Sequence, residues 1–243
     1  MRLFYVRHGH SSNNTLGPIE GRSRVEDPPL TPLGLRQVEA LCTAVRRRFI
    51  SSIACNGRPE DSDLTPVTHI YSSLMQRALV TATRVAEALA MRVTAWPDTH
   101  EVGGIYRYCE SGDEMIGLPG NDRAHFEARF PDLLLPDELR GPWWNRPFEE
   151  VGEAAHRAAR VLSSLTGEPR RADEAVILVG HRGFYNLLLA VMQRPARQIA
   201  EMPGLFELHN CAISRIDLST EHSRVVFSND ATHLGPDLLT PPR

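Results

Sequence analysis

Two histidines, each directly behind a short apolar run, are the residues of this chain best placed for chemistry. His8 follows Leu3-Phe4-Tyr5-Val6 and Arg7, and His181 follows Val176-Ile177-Leu178-Val179 and Gly180. Around them in sequence stand Gly9, Asn14 in a polar loop, Arg77 at the opening of a helical stretch, and Glu101 just ahead of the pair Gly103-Gly104. The 243 residues include no lysine; all 27 basic residues are arginine, against 30 acidic ones. That excludes Schiff-base, pyridoxal and Walker-type nucleotide chemistry, each of which needs a lysine. It leaves guanidinium groups, planar and permanently charged, as the means of holding an anion. His8 and His10 form an HxH pair of the kind that serves metals, but no aspartates stand at ligand spacing and Arg7 adjoins it, so no metal is expected. The four cysteines, Cys42, Cys55, Cys109 and Cys211, are scattered without CxxC spacing, which fits neither a zinc site nor a disulfide framework.

The elements that position these groups follow from the apolar pattern. Leu3 to Val6 reads as a strand buried on both faces. Thr31 can cap a helix with Pro32 at its first position, and Leu35, Val38, Leu41, Val45 and Phe49 recur at helical spacing behind it. Residues 51–68 read as a linker or surface loop. His69 to Ser72 is a second strand, followed by a helical stripe of Leu74, Ala78, Ala82, Val85 and Leu89; Met91 to Ala95 is a candidate third strand. Residues 98–148, rich in glycine, proline and acidic groups, read as an inserted cap with a short helix at Arg123 to Phe130 and a Trp143-Trp144 pair. A helix carrying Val151, Ala155, Ala158, Leu162 and Leu165 leads to the strand Val176–Val179 and a helix Phe184–Met192. Cys211–Leu218 and Val225–Phe227 close the chain as strands. Strands alternating with helices imply a three-layer α/β/α sandwich with a mostly parallel sheet, in a single domain of 243 residues. In such sheets ligands bind beyond the carboxyl ends of strands, where both histidines fall. A formal net charge of −3 argues against nucleic-acid binding. With no apolar run of signal-peptide or membrane-span length, a cytoplasmic protein is expected.

The motifs together resemble the histidine phosphatase superfamily, also called the phosphoglycerate mutase-like family. They are RHG at 7–9 with Asn14, GR at 21–22, PLTPLG at 29–34, SSLMQRALVTA at 72–82 and VGH at 179–181. The resemblance implies metal-independent phosphoryl transfer from a small phosphorylated metabolite. His8 would be the nucleophile that becomes phosphohistidine, and Arg7, Asn14, Arg77 and His181 would bind the phosphoryl group. Glu101 would serve as general acid, since a bound phosphate beside it favours the protonated carboxyl. Arg22 and Arg182 are further substrate-binding candidates, and Glu110 and Glu114 are fallback acids. Arginines with paired N–H donors suit the phosphoryl oxygens and do the work a metal does elsewhere.

The departures bear on substrate. Arg182 stands where a glycine usually follows the second histidine, the loop after Arg22 lacks the common Gln-Gly pair, and His10 replaces an acidic residue or glutamine. The stretch from His100 to Tyr106 does not reproduce the glutamate-arginine-histidine-tyrosine run of cofactor-dependent phosphoglycerate mutases. Hydrolysis is therefore expected ahead of a mutase, which would need 2,3-bisphosphoglycerate as primer, and ahead of a non-catalytic phosphate-binding module. Arg107, Arg123, Arg129, Arg140 and Arg146 could contact a second anionic group or simply lie at the surface. Trp143 and Trp144 fill the cap's small core or line it. Homo-oligomerisation stays open.

Overall fold

The computed structural model describes residues 1–16, 23–50, 66–111, 114–167, 174–204, 206–219 and 223–241. Strand β1 (Arg2–Arg7) sits in a six-stranded sheet with β2 (Val67–Ser72), β3 (Val93–Ala95), β6 (Ala175–Gly180), β7 (Ile213–Leu218) and β8 (Ser223–Asp230). Their spatial order is β3-β2-β6-β1-β7-β8. The strands from β3 to β1 run parallel, and β7 runs antiparallel to both β1 and β8. Every residue of β6 is buried, as its central position and unbroken apolar run require.

Alternation along β1 and β6 divides the core between the two faces of the sheet. Phe4, Val6, Ile177 and Val179 pack with α1 (Pro32–Phe49) and α2 (Gln76–Leu89). Leu3, Tyr5, Val176 and Leu178 pack with α4 (Val151–Gly167) and α5 (Arg182–Gln193). Each of the aliphatic and phenyl side chains among these contributes roughly 1.5–3 kcal/mol on full burial, which anchors the two strands that lead into the histidines. This is the three-layer arrangement the alternation implies. At the end of α1 the guanidinium of Arg48 lies over Phe4 and Phe227, 5.6 and 5.1 Å from the ring centres.

Between β3 and α4 lie the hairpin β4 (Tyr106–Tyr108) and β5 (Met115–Gly117) and the helix α3 (Arg123–Arg129). Trp144 is fully buried there and forms a small apolar cluster with Met75 and Ile105. Gly104 takes φ +74°, and a Cβ on it would fall 2.2 Å from the Trp144 ring, so only a glycine at 104 leaves room for the ring. The linker expected at 51–68 lies outside the described residues up to 65. Among the described residues no helix is long and apolar enough to cross a membrane.

Candidate active site

The strand register brings the two histidines together. In the parallel pair β1 and β6, Arg7 lies opposite Gly180, so His8 and His181 leave adjacent strand ends, their rings 5.2 Å apart. The hydroxyl of Tyr5 accepts the His181 amide at 2.8 Å and donates to the His181 carbonyl at 2.7 Å. A Cβ on Gly180 would lie 2.3 Å from that hydroxyl, so the glycine before His181 is what admits the tyrosine.

His8 is held as a neutral ring of defined tautomer. Its Nδ1 lies 2.7 Å from the Gly9 carbonyl, which can only accept, so Nδ1 carries the proton. Its Nε2 accepts from Nε of Arg77 at 3.2 Å and is therefore the bare nitrogen. Burial, reinforced by the charges of Arg77 and Arg7, holds the His8 pKa well below the usual histidine range. Gly9 donates its amide to Thr81 at 3.1 Å.

Arg77 comes from the first turn of α2. Asp27 accepts the Gln76 amide with both carboxylate oxygens, at 3.0 and 3.1 Å, and lies 3.7 Å from the Arg77 guanidinium. An acidic group at a helix N-terminus is favoured by the helix dipole, and here it also orients the arginine. Arg7, only 4% exposed, donates to the Leu208 carbonyl, while its Nε is buried with no partner among the described residues. Burial pushes its pKa down to about 10, opposed by the Glu101 carboxylate.

Asn14 accepts at Oδ1 from the Ser11 amide, the Ser11 hydroxyl and Asn210. Asn14 lines a pocket of about 30 Å³ with Arg7, His10, Asn210, Thr240 and Pro241. Asn210 also donates to the His8 carbonyl at 3.1 Å and accepts from Thr240 at 3.1 Å. The chain's last described residues are thereby drawn over the β1 end of the site.

Glu101 projects onto the start of α5. Its carboxylate accepts from the amides of Val102, Gly183 and Phe184 at 3.0, 3.1 and 2.9 Å. It acts electrostatically on Arg7, Arg77 and Tyr106, so it faces the same space as the arginines. Its loop is held from behind by Arg157 of α4, which donates to the carbonyls of Asp98 and His100 and pairs with buried Glu149 at 2.6 and 2.7 Å.

The structure thus gathers Arg7, His8, Asn14, Arg77, Glu101 and His181. Arg182, the first residue of α5, is exposed at the rim, near enough to act on the charge of Arg7. Arg22 lies outside the described residues. Glu110 and Glu114 are exposed on the hairpin. Arg123 is spent on the carbonyls of Pro136 and Leu139, and Arg146 stacks on Trp144 beside His100; Arg107, Arg129 and Arg140 are exposed. His10 bonds Thr31 through Nδ1 at 2.9 Å and lines the pocket beside Arg7 and Asn14. Sequence reasoning gave no role to Tyr5, Asp27, Ser73, Arg157 and Asn210, although Tyr5 and Ser73 stand inside the runs quoted at 3–6 and 72–82.

The family model for the histidine phosphatase superfamily (branch 1) matches residues 3–56 and 60–231. The chain belongs to the histidine phosphatase superfamily. Among curated relatives, a protein named probable phosphoglycerate mutase GpmB from Proteus mirabilis (strain HI4320) is 27% identical over 222 residues, 89% of this chain and 85% of its own. Its counterpart in Yersinia pestis (strain Pestoides F) is 25% identical over 230 residues, with the same shares covered. Histidine phosphatase structures share the fold. A mutant phosphoserine phosphatase from Entamoeba histolytica, in complex with phosphoserine, aligns with TM-score 0.58 at 19% identity, over 96% of this chain and 99% of that one. A mycobacterial glucosyl-3-phosphoglycerate phosphatase complexed with VO3 aligns at 0.57 and 20% identity, over 94% and 98%. This superfamily is one of phosphatases and mutases.

Proposed function

We propose that the protein is a metal-independent phosphatase that hydrolyses a small phosphomonoester through a phosphohistidine at Nε2 of His8. The observation that carries this reading is the set of donors around that bare nitrogen. Nε of Arg7 and Nδ1 of His181 are buried ring or guanidinium nitrogens with no partner among the described residues. Buried donors are nearly always bonded in folded proteins, and a phosphoryl group supplies the acceptor oxygens these lack.

Arg7, Asn14, Arg77 and His181 hold the phosphoryl oxygens and stabilise the charge that spreads over them during transfer. Anion binding draws the Arg77 guanidinium onto oxygen and frees the His8 lone pair to form the N–P bond as the ester P–O bond breaks. Glu101 gives its proton to the departing alkoxide. It then takes a proton from the water that attacks phosphohistidine, releasing phosphate and restoring His8. The 98–148 segment, bearing Glu101, Tyr106 and the tryptophan cluster, is the cap over the alcohol half of the substrate.

Rapid quenching during turnover of p-nitrophenyl phosphate should trap an acid-labile, base-stable phosphoenzyme. His8→Ala should remove it and cut turnover by at least ~10⁴-fold with the circular dichroism unchanged; an active alanine variant would sink the mechanism. A mutase reading is favoured by the curated relatives' names. Conversion of 3-phosphoglycerate to its 2-isomer faster than phosphate release would decide for it.

A further inference from the structure

Ser73 lies between the end of β2 and the start of α2, fully buried, and its Oγ is 2.8 Å from Nε2 of His181. The same oxygen accepts the Met75 amide at 3.4 Å. The other ring nitrogen of His181, Nδ1, is the buried one with no partner among the described residues. His181 is itself fully buried, and burial with the nearby charge of Arg77 keeps its ring neutral. A neutral imidazole has one proton to place on one of two nitrogens.

With the proton on Nε2, Ser73 would have to accept it while already accepting from Met75. Its own proton would then have no acceptor among the described residues, and Nδ1 would present a lone pair to the pocket. With the proton on Nδ1, Ser73 accepts from Met75 and donates to Nε2, and the only donor left without a partner among the described residues in this chain of bonds is Nδ1–H itself. Only this second arrangement leaves His181 with an N–H free to donate to a ligand. Tyr5 fixes the backbone of His181 on both sides, so the serine has only the ring proton left to decide.

We propose that Ser73 is the positioning residue that fixes His181 as the Nδ1–H tautomer, aiming its single N–H at the phosphoryl oxygen. The proposal rests on the functional reading above only for the identity of the acceptor. The tautomer itself can be read without substrate.

Long-range ¹H–¹⁵N correlation spectra of the full chain, with His181 assigned by its loss in His181→Asn, should show a protonated Nδ1 and a bare Nε2 in the resting protein. A bare Nδ1 overturns the proposal whether or not the protein is a phosphatase. Titration with inorganic phosphate should shift the Nδ1–H resonance in the native protein and in Ser73→Thr. In Ser73→Ala the tautomers should mix. Losing a transition-state donor outright costs about 100- to 1,000-fold in kcat; merely loosening its tautomer should lower kcat about tenfold with KM changed less than about twofold. Ser73→Thr, which keeps the hydroxyl, should restore most of it. An Ser73→Ala variant with native tautomer and native kcat overturns the proposal. Should that variant fail to fold, Ser73→Cys keeps a side chain of similar size with a poorer donor, and the same two readouts apply.

Discussion

His8 is prepared to attack because its proton has already been assigned. The Gly9 carbonyl takes the Nδ1 proton at 2.7 Å, and Arg77 covers the free Nε2 at 3.2 Å without being able to accept anything from it. The same two arginines that would bind the anion stand with burial in holding the ring neutral, Arg77 before Arg7. Electrophile binding and nucleophile activation therefore share their groups. The consequence is visible in pH dependence. An ordinary histidine nucleophile loses activity tenfold per pH unit below 6.5. Here the single-turnover rate of phosphoenzyme formation should stay flat, within about twofold, from pH 7.5 to 5.5. It should be measured with p-nitrophenyl phosphate, whose leaving group needs no proton from Glu101. A loss of activity with midpoint near 6.5 would show that His8 titrates normally and that its surroundings do not hold the ring neutral.

Helix α5 shows how an element, and not only a residue, serves the site. His181 is its N-cap, Arg182 its first residue, and its first free amides, Gly183 and Phe184, hold the Glu101 carboxylate. Orphan N–H groups and a positive dipole end favour an anion there. A Cβ on Gly183 would lie 2.4 Å from Oε1 of Glu101, so the glycine at this position is what lets the carboxylate reach the start of the helix. Gly183→Ala should leave the helix intact and displace the carboxylate. The predicted loss in kcat/KM is at least ~10-fold for an alkyl phosphate and at most ~3-fold for p-nitrophenyl phosphate, since general-acid assistance matters most for poor leaving groups. Equal losses on both substrates would place Glu101 outside proton transfer. The long, apolar elements were legible because their periodicity is their burial: β1, β6, α1 and α4 fall where the runs and stripes put them. Thr31 does cap α1 by accepting the Gly34 amide, and α5 begins two residues earlier than its apolar stripe because capping, not burial, sets its start. The hairpin of β4 and β5 left no trace, since strands of three residues mixing exposed and half-buried positions carry no usable alternation. Tyr5 and Ser73 look like core filler and a loop polar residue; only the register that lays β1 and β2 against β6 gives them His181 as a neighbour.

At the scale of the whole molecule, the fold buries three histidines among the described residues with their rings neutral. His8, His100 and His181 are 4%, 0% and 0% exposed, and burial lowers the pKa of each well below 6.5, with neighbouring arginines adding to the effect. In the unfolded chain the same groups take up protons as pH falls through 6.5, whereas in the native state they do not. Below that value the unfolded state binds more protons, so the stability these histidines permit at neutral pH is lost on acidification. Each group contributes up to ~1.4 kcal/mol per pH unit, and three together up to ~4 kcal/mol per unit, in the window below 6.5 and above the depressed native values. Total stability in domains of this kind is only about 5–15 kcal/mol. The urea midpoint should therefore be level between pH 7 and 8 and fall steeply between 6.5 and 5.5, before most carboxylates begin to titrate. Bound inorganic phosphate should raise the midpoint throughout this window, because it engages only the native site. A midpoint unchanged down to pH 5.5 would mean that the buried rings take up protons inside the fold, which would remove the neutral nucleophile and the neutral His181 donor at once.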